Sequence, residues 1–137
     1  MQRAIFHLSF PVHALEPALA FYRDVLGAAP GRREAGWADL VWHGHQLTLH
    51  ELPQEVPTPE RRGVRHFGLI LDWSEWEALR ARLERQRPEL ATQVLQRATG
   101  SADEHVKLLL EDPSGNLIEI KAYRQLATIA PALDARR

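Results

Sequence analysis

Asp112-Pro113-Ser114-Gly115-Asn116-Leu117-Ile118-Glu119-Ile120-Lys121 is the stretch on which the fold turns. Asp-Pro-Ser-Gly is turn chemistry: proline presets φ, aspartate can hydrogen-bond its own backbone, and glycine accepts positive φ. The residues that follow alternate as a strand does, with Ile118 and Ile120 on one face and Leu117, Glu119 and Lys121 on the other. A carboxylate in mid-strand between two isoleucines needs a cation or a strong donor, because burying it alone is costly. Two partners satisfy that need: a basic side chain on a solvated sheet face, or a metal ion.

Outward from this strand the chain repeats itself. Near the N-terminus, Phe6, Leu8 and Phe10 share one strand face, and His7 and Ser9 share the other. Pro11 closes that strand. A helix follows from Leu15 to Leu26, with Leu15, Leu19, Tyr22 and Leu26 as its apolar stripe and Gly27 as its stop. Pro30 to Arg33 reads as loop. Ala38–Trp42 and Gln46–His50 make a hairpin around His43-Gly44-His45. The proline- and charge-rich segment 53–63 reads as a linker. The pattern then restarts. His66–Leu71 is a strand with His66, Gly68 and Ile70 on one face. Ser74 caps a helix from Glu75 to about Gln86, striped by Trp76, Leu79 and Leu83. Val94–Ala98 can be a short strand. Val106–Leu110 and the opening strand complete the unit. A tail follows Tyr123, with a short helix near Gln125–Ile129 and a frayed end at Arg136-Arg137.

In the repeat, His7 falls on His66 (an offset of 59), and Gly44 falls on Gly115 and Thr48 on Glu119 (an offset of 71). The second half therefore carries twelve extra residues, expected between its helix and Val106. The reading is an α+β chain of 137 residues forming one domain. It has a first module of about 4–52, the linker, a second module of about 64–124 and the tail 125–137.

Composition narrows the function. The apolar fraction of 45% supports a hydrophobic core, and a net charge of −1 gives no bulk attraction to nucleic acid or anionic membrane. Cysteine is absent, which excludes disulfides, thiolate metal sites and a cysteine nucleophile, and fits a cytoplasmic protein. Met1-Gln2-Arg3 leads straight into a strand-like segment, without the pattern of a signal peptide. Any bound metal must be held by His, Asp or Glu, and seven histidines are available.

Phe21-Tyr22-Arg23-Asp24-Val25-Leu26-Gly27, His66-Phe67-Gly68-Leu69 and Asp112-Pro113-Ser114-Gly115-Asn116 through Glu119 together resemble the vicinal oxygen chelate superfamily. That superfamily includes glyoxalase I, the bleomycin- and fosfomycin-resistance proteins and the extradiol dioxygenases. This chain looks most similar to its small dioxygenase-like members. The resemblance implies two tandem βαβββ modules that curl a mixed sheet into a cup. It implies a divalent metal held by His7, His66 and Glu119, a two-histidine, one-carboxylate set that leaves coordination positions open. Fe(II) is favoured; Mn(II), Zn(II), Ni(II) and Co(II) suit the same ligands. Glyoxalase I has a second carboxylate where this chain has Thr48, so isomerase activity is disfavoured. Dioxygenase chemistry on a small molecule with vicinal oxygens, with O2 as co-substrate, is the expected activity.

His50, two positions beyond Thr48, is the candidate catalytic acid/base. It can equally be a rim histidine bonded to Glu51 or the linker, or a metal ligand itself. Ser9, Thr48, Lys121 and Tyr123 are candidate substrate contacts, and Lys121 is the single clear cation expected on the metal-bearing face. The competing readings are a glyoxalase- or fosfomycin-type isomerase or transferase, and a metal-free bleomycin-resistance-like binding protein. Small members usually work as homodimers, in which His7 can come from a different chain than His66 and Glu119.

Overall fold

The structure is a computed structural model and describes residues 3–134. Met1, Gln2 and the Arg136-Arg137 end lie outside the described residues. The chain forms two compact units. One ends at Val64 and takes in the turn Asp112–Asn116; the other begins at Arg65 and excludes that turn.

In the first unit, β1 (His7–Val12), α1 (Leu15–Asp24), β2 (Ala29–Glu34), β3 (Trp37–Trp42) and β4 (His45–Glu51) build a sheet of order β1-β4-β3-β2. β1 runs parallel to β4, and the other pairs are antiparallel. The second unit repeats this with β5 (Phe67–Ile70), α3 (Trp73–Gln86), β6 (Val94–Arg97), β7 (His105–Glu111) and β8 (Leu117–Tyr123), in the order β5-β8-β7-β6. The result is the tandem βαβββ fold. Past β4 the first unit continues through a 3-10 turn at Pro53–Glu55 and a short helix α2 (Pro59–Arg62) capped by the Thr58 hydroxyl, so the expected linker is partly helical and belongs to that unit. Short helices α4 (Leu126–Ile129) and α5 (Pro131–Asp134) follow β8. No helix among the described residues is long and apolar enough to cross a membrane.

The alternation in β8 is complete: Ile118, Ile120 and Ala122 are buried, and Leu117, Glu119, Lys121 and Tyr123 keep some exposure. The fully buried isoleucines share the core with Leu83, with Leu108 across the ladder from Ile120, and with Trp76, whose indole N–H donates to the Ile120 carbonyl at 2.9 Å. Each such side chain contributes roughly 1.5–3 kcal/mol by leaving water.

Sheet register fixes the internal repeat. Ser9 lies opposite Thr48, and Gly68 lies opposite Glu119. The offsets of 59 and 71 therefore hold in space. The twelve extra residues divide differently from expectation, however. Asp39 faces Thr48 while Leu109 faces Glu119, an offset of 70, so one residue sits in the second hairpin turn and eleven precede β7. The first hairpin closes in two residues, His43 (φ 48) and Gly44 (φ 77), the positive-φ pair that matches strand twist.

Three local expectations are corrected. Pro30–Arg33 is part of the edge strand β2, exposed throughout and interrupted by a register shift. Pro11 lies inside β1, which is an edge strand and tolerates a missing N–H. The second helix starts earlier than Ser74, with a capping box between Asp72 and Glu75.

The two signature motifs meet inside the first unit. Tyr22 Oη donates to Asp112 Oδ2 at 2.8 Å. The other carboxylate oxygen accepts the Ser114 and Asn116 N–H groups, and Asn116 Nδ2 donates to both Asp112 Oδ2 and the Pro11 carbonyl. Ser114 Oγ accepts the His13 N–H, and Arg62 donates to the Gly115 carbonyl. Burial, then the Asp112 charge and hydrogen bond, push the Tyr22 phenol well above its ordinary pKa, so it stays a donor. Tyr22 of the FYRDVLG segment and Asp112 of the DPSGN segment are thus two halves of one buried lock.

Candidate functional site

Glu119 stands on the face of β8 opposite the core, one-tenth exposed. Gly68 is directly across from it on β5. A Cβ on Gly68 would come within 1.7 Å of the Glu119 carbonyl oxygen, so only glycine lets β5 approach this closely. That approach sets His66 beside the carboxylate, with Nε2 at 3.5 Å from Oε2. From the other side Lys107 Nζ lies 3.3 Å from Oε1, and Lys121 Nζ lies 3.7 Å from Oε2. Lys107 and Lys121 are direct cross-strand partners on β7 and β8. The face therefore carries two cations, where one was expected. Tyr123 continues the row, under Lys121 at 5.7 Å and tilted against His105.

The first unit presents the equivalent positions with different chemistry. His7 and Ser9 are exposed on β1, and Ser9 faces Thr48. Thr48 is buried and donates its hydroxyl to Asp39 Oδ1 at 2.7 Å, so only its lone pairs remain to offer a substrate. Arg32 Nε donates to Asp39 Oδ2 at 2.7 Å and lays its guanidinium over the Trp37 ring. Burial pushes the Asp39 carboxyl up. The Thr48 hydroxyl, the Arg32 guanidinium and the charge of His7 outweigh it and hold the pKa below the ordinary carboxylate value. A carboxylate thus does reach the Thr48 position from the neighbouring strand, but as a paired anion, which makes it a poor base. The sequence reading missed Asp39, although it stands in a strand between apolar neighbours just as Glu119 does.

Because folding lowers the Asp39 pKa, its ionised form adds stability above the unfolded value, and that stability is lost as pH falls through the folded pKa. Asp39→Asn is expected to lower the urea midpoint at neutral pH and to flatten its decline below about pH 4. Wild-type and variant curves that run parallel through that range would refute this.

His50 lies two residues past Thr48, opposite Pro11 and Trp37, and is half-buried. The neighbouring Glu51 carboxylate accepts the Leu15 N–H at 2.8 Å at the start of α1. Trp42 is core, bonded to the Leu26 carbonyl, and Trp37 stands on the Asp39 face. His45 is half-buried and accepts the Phe6 N–H.

His66 and Glu119 converge as a ring nitrogen and a carboxylate should to share a cation, so the donor pair fits a divalent metal. The two ammonium groups now on Glu119 compete for the same lone pairs. His7 occupies the matching register position of the other unit. No group of three or more metal-ligating side chains is gathered among the described residues.

The model of the Glyoxalase/Bleomycin resistance protein/Dioxygenase superfamily matches residues 4–120. The chain belongs to that superfamily. A catechol-2,3-dioxygenase of Bacillus subtilis (strain 168) is 34% identical over 124 residues, covering 85% of this superfamily member and 40% of the relative. The chain thus spans two-fifths of that protein's length. Among solved structures, a glyoxalase/bleomycin resistance protein/dioxygenase from Alicyclobacillus acidocaldarius aligns with a TM-score of 0.76 and 30% identity, covering 89% of this chain and 92% of that one. A fosfomycin resistance protein from Listeria monocytogenes, complexed with Mn(II) and sulfate, shares the superfamily fold with a TM-score of 0.67 at 14% identity, covering 96% and 99%.

Proposed function

We propose that the chain is a metal-dependent dioxygenase acting on a small molecule with vicinal oxygens, with His7, His66 and Glu119 as the metal's ligands. The carrying observation is the register: each unit places a histidine two residues before the position facing its last strand, and only the second offers a carboxylate there that Arg32 has not claimed. A divalent metal so held, Fe(II) by preference, would supply open positions for two substrate oxygens and for dioxygen. His50 is the acid/base, taking a proton from a substrate hydroxyl. Ser9 and Tyr123 contribute hydroxyls to the substrate, and the protein works as a homodimer in the cytoplasm. The relative named for catechol cleavage supports this reading. A paired Asp39 disfavours the isomerase alternative, which would need a free carboxylate base.

Anaerobic loading with Fe(II), followed by oxygen electrode traces with a panel of catechols, tests it. Uptake with at least one catechol is expected, and none with any would overturn it. His50→Ala is expected to retain iron while turnover falls by about 100-fold; full turnover in that variant would remove His50 from the mechanism.

A further inference from the structure

Lys107 and Lys121 face each other across β7 and β8 beside the candidate metal carboxylate, and neither is needed to hold a metal. Like charges directly opposite on a sheet repel, and an anion between them relieves that repulsion. In the structure Glu119 is that anion: its two oxygens are divided between the two ammonium groups, at 3.3 and 3.7 Å. The lysine pair is therefore already spaced to be bridged by one carboxylate.

One carboxylate leaves the two lysines with an excess positive charge, and a divalent cation drawn to Glu119 and His66 would add two more. Lone pairs given to that cation are lost to the lysines. Both lysine side chains are about one-third exposed, which leaves them within reach of a ligand from solvent.

Building on the proposed metal-dependent activity, we infer that the substrate carries a carboxylate in addition to its vicinal oxygens, and that Lys107 and Lys121 bind it in place of Glu119. The lysines are then specificity residues. They select an anionic diol over a neutral one, while Tyr123 backs Lys121 with its ring face.

The test uses the full chain loaded with Mn(II) under anaerobic conditions, with metal uptake followed by electron paramagnetic resonance and ligand affinity by calorimetry. Catechol is compared with protocatechuate, which adds a ring carboxylate to the same two hydroxyls. Protocatechuate is expected to bind about tenfold more tightly. Lys107→Met and Lys121→Met are each expected to erase most of that preference, read as the ratio of the two affinities in the manganese-loaded variant. Equal affinity for the two diols, or a preference that survives the double lysine variant, would overturn the inference and leave the metal reading standing. Failure of the wild type to take up manganese would instead overturn the metal reading, and the inference with it.

Discussion

Alanine at Gly68 is expected to destabilise this protein by more than about 3 kcal/mol, beyond the usual range for an added methyl group in a packed site. The reason is the identity of the atom it would strike. The new Cβ would meet the backbone carbonyl of Glu119 at 1.7 Å, and no rotamer change relieves a clash with main chain. Either β5 separates from β8, breaking a parallel ladder that runs from Phe67 to Ile70, or the residue fails to fold into the sheet. Both routes carry His66 away from Glu119, so Mn(II) affinity should fall together with the urea midpoint. A Gly68→Ala protein with unchanged midpoint and unchanged metal uptake would show that β5 can slide without cost, contrary to this account.

Asp112→Ala is expected to cost about 3–5 kcal/mol, a large part of a typical domain's stability. The carboxylate is buried and accepts four hydrogen bonds. Its removal strands the Tyr22 hydroxyl, which has no exposure, and two N–H groups of the turn. Tyr22→Phe should cost only about 1–2 kcal/mol, because it takes away one donor and leaves the carboxylate with three. Chemical denaturation of the two variants side by side checks the ordering. A cost for Tyr22→Phe equal to or above that for Asp112→Ala would mean the turn rearranges and the lock is not cooperative.

These two positions also show which features could be read from residues alone. Strand alternation placed Ile118 and Ile120 in the core, because a half-buried strand writes its two faces directly into the sequence. Helical stripes located α1 and α3 for the same reason. β2 was hidden because Pro30-Gly31 carries turn chemistry, and an edge strand exposed on both faces leaves no apolar pattern. Asp39 and Lys107 were invisible as site residues because their meaning lies across strands. Nothing in Lys107's own neighbourhood in the sequence announces Lys121 or Glu119, and only register pairs them. The Asp72–Glu75 cap was missed in favour of Ser74 because both residues are good caps, and the backbone chose between them. The motif residues Tyr22 and Asp112 were recognised as a resemblance, but their function as mutual partners needed ninety residues of intervening chain to be folded.

That span matters during synthesis. A ribosome that has released everything through the end of α2 has made all the strands of the first unit, yet Tyr22 still has no acceptor for its hydroxyl. The acceptor arrives only with the turn at residue 112, after most of the second unit has been translated. A gene cut at the proline-rich segment would therefore encode an N-terminal fragment in which Tyr22 lacks its native hydrogen-bond partner. Such a duplicated architecture is more easily copied whole than divided.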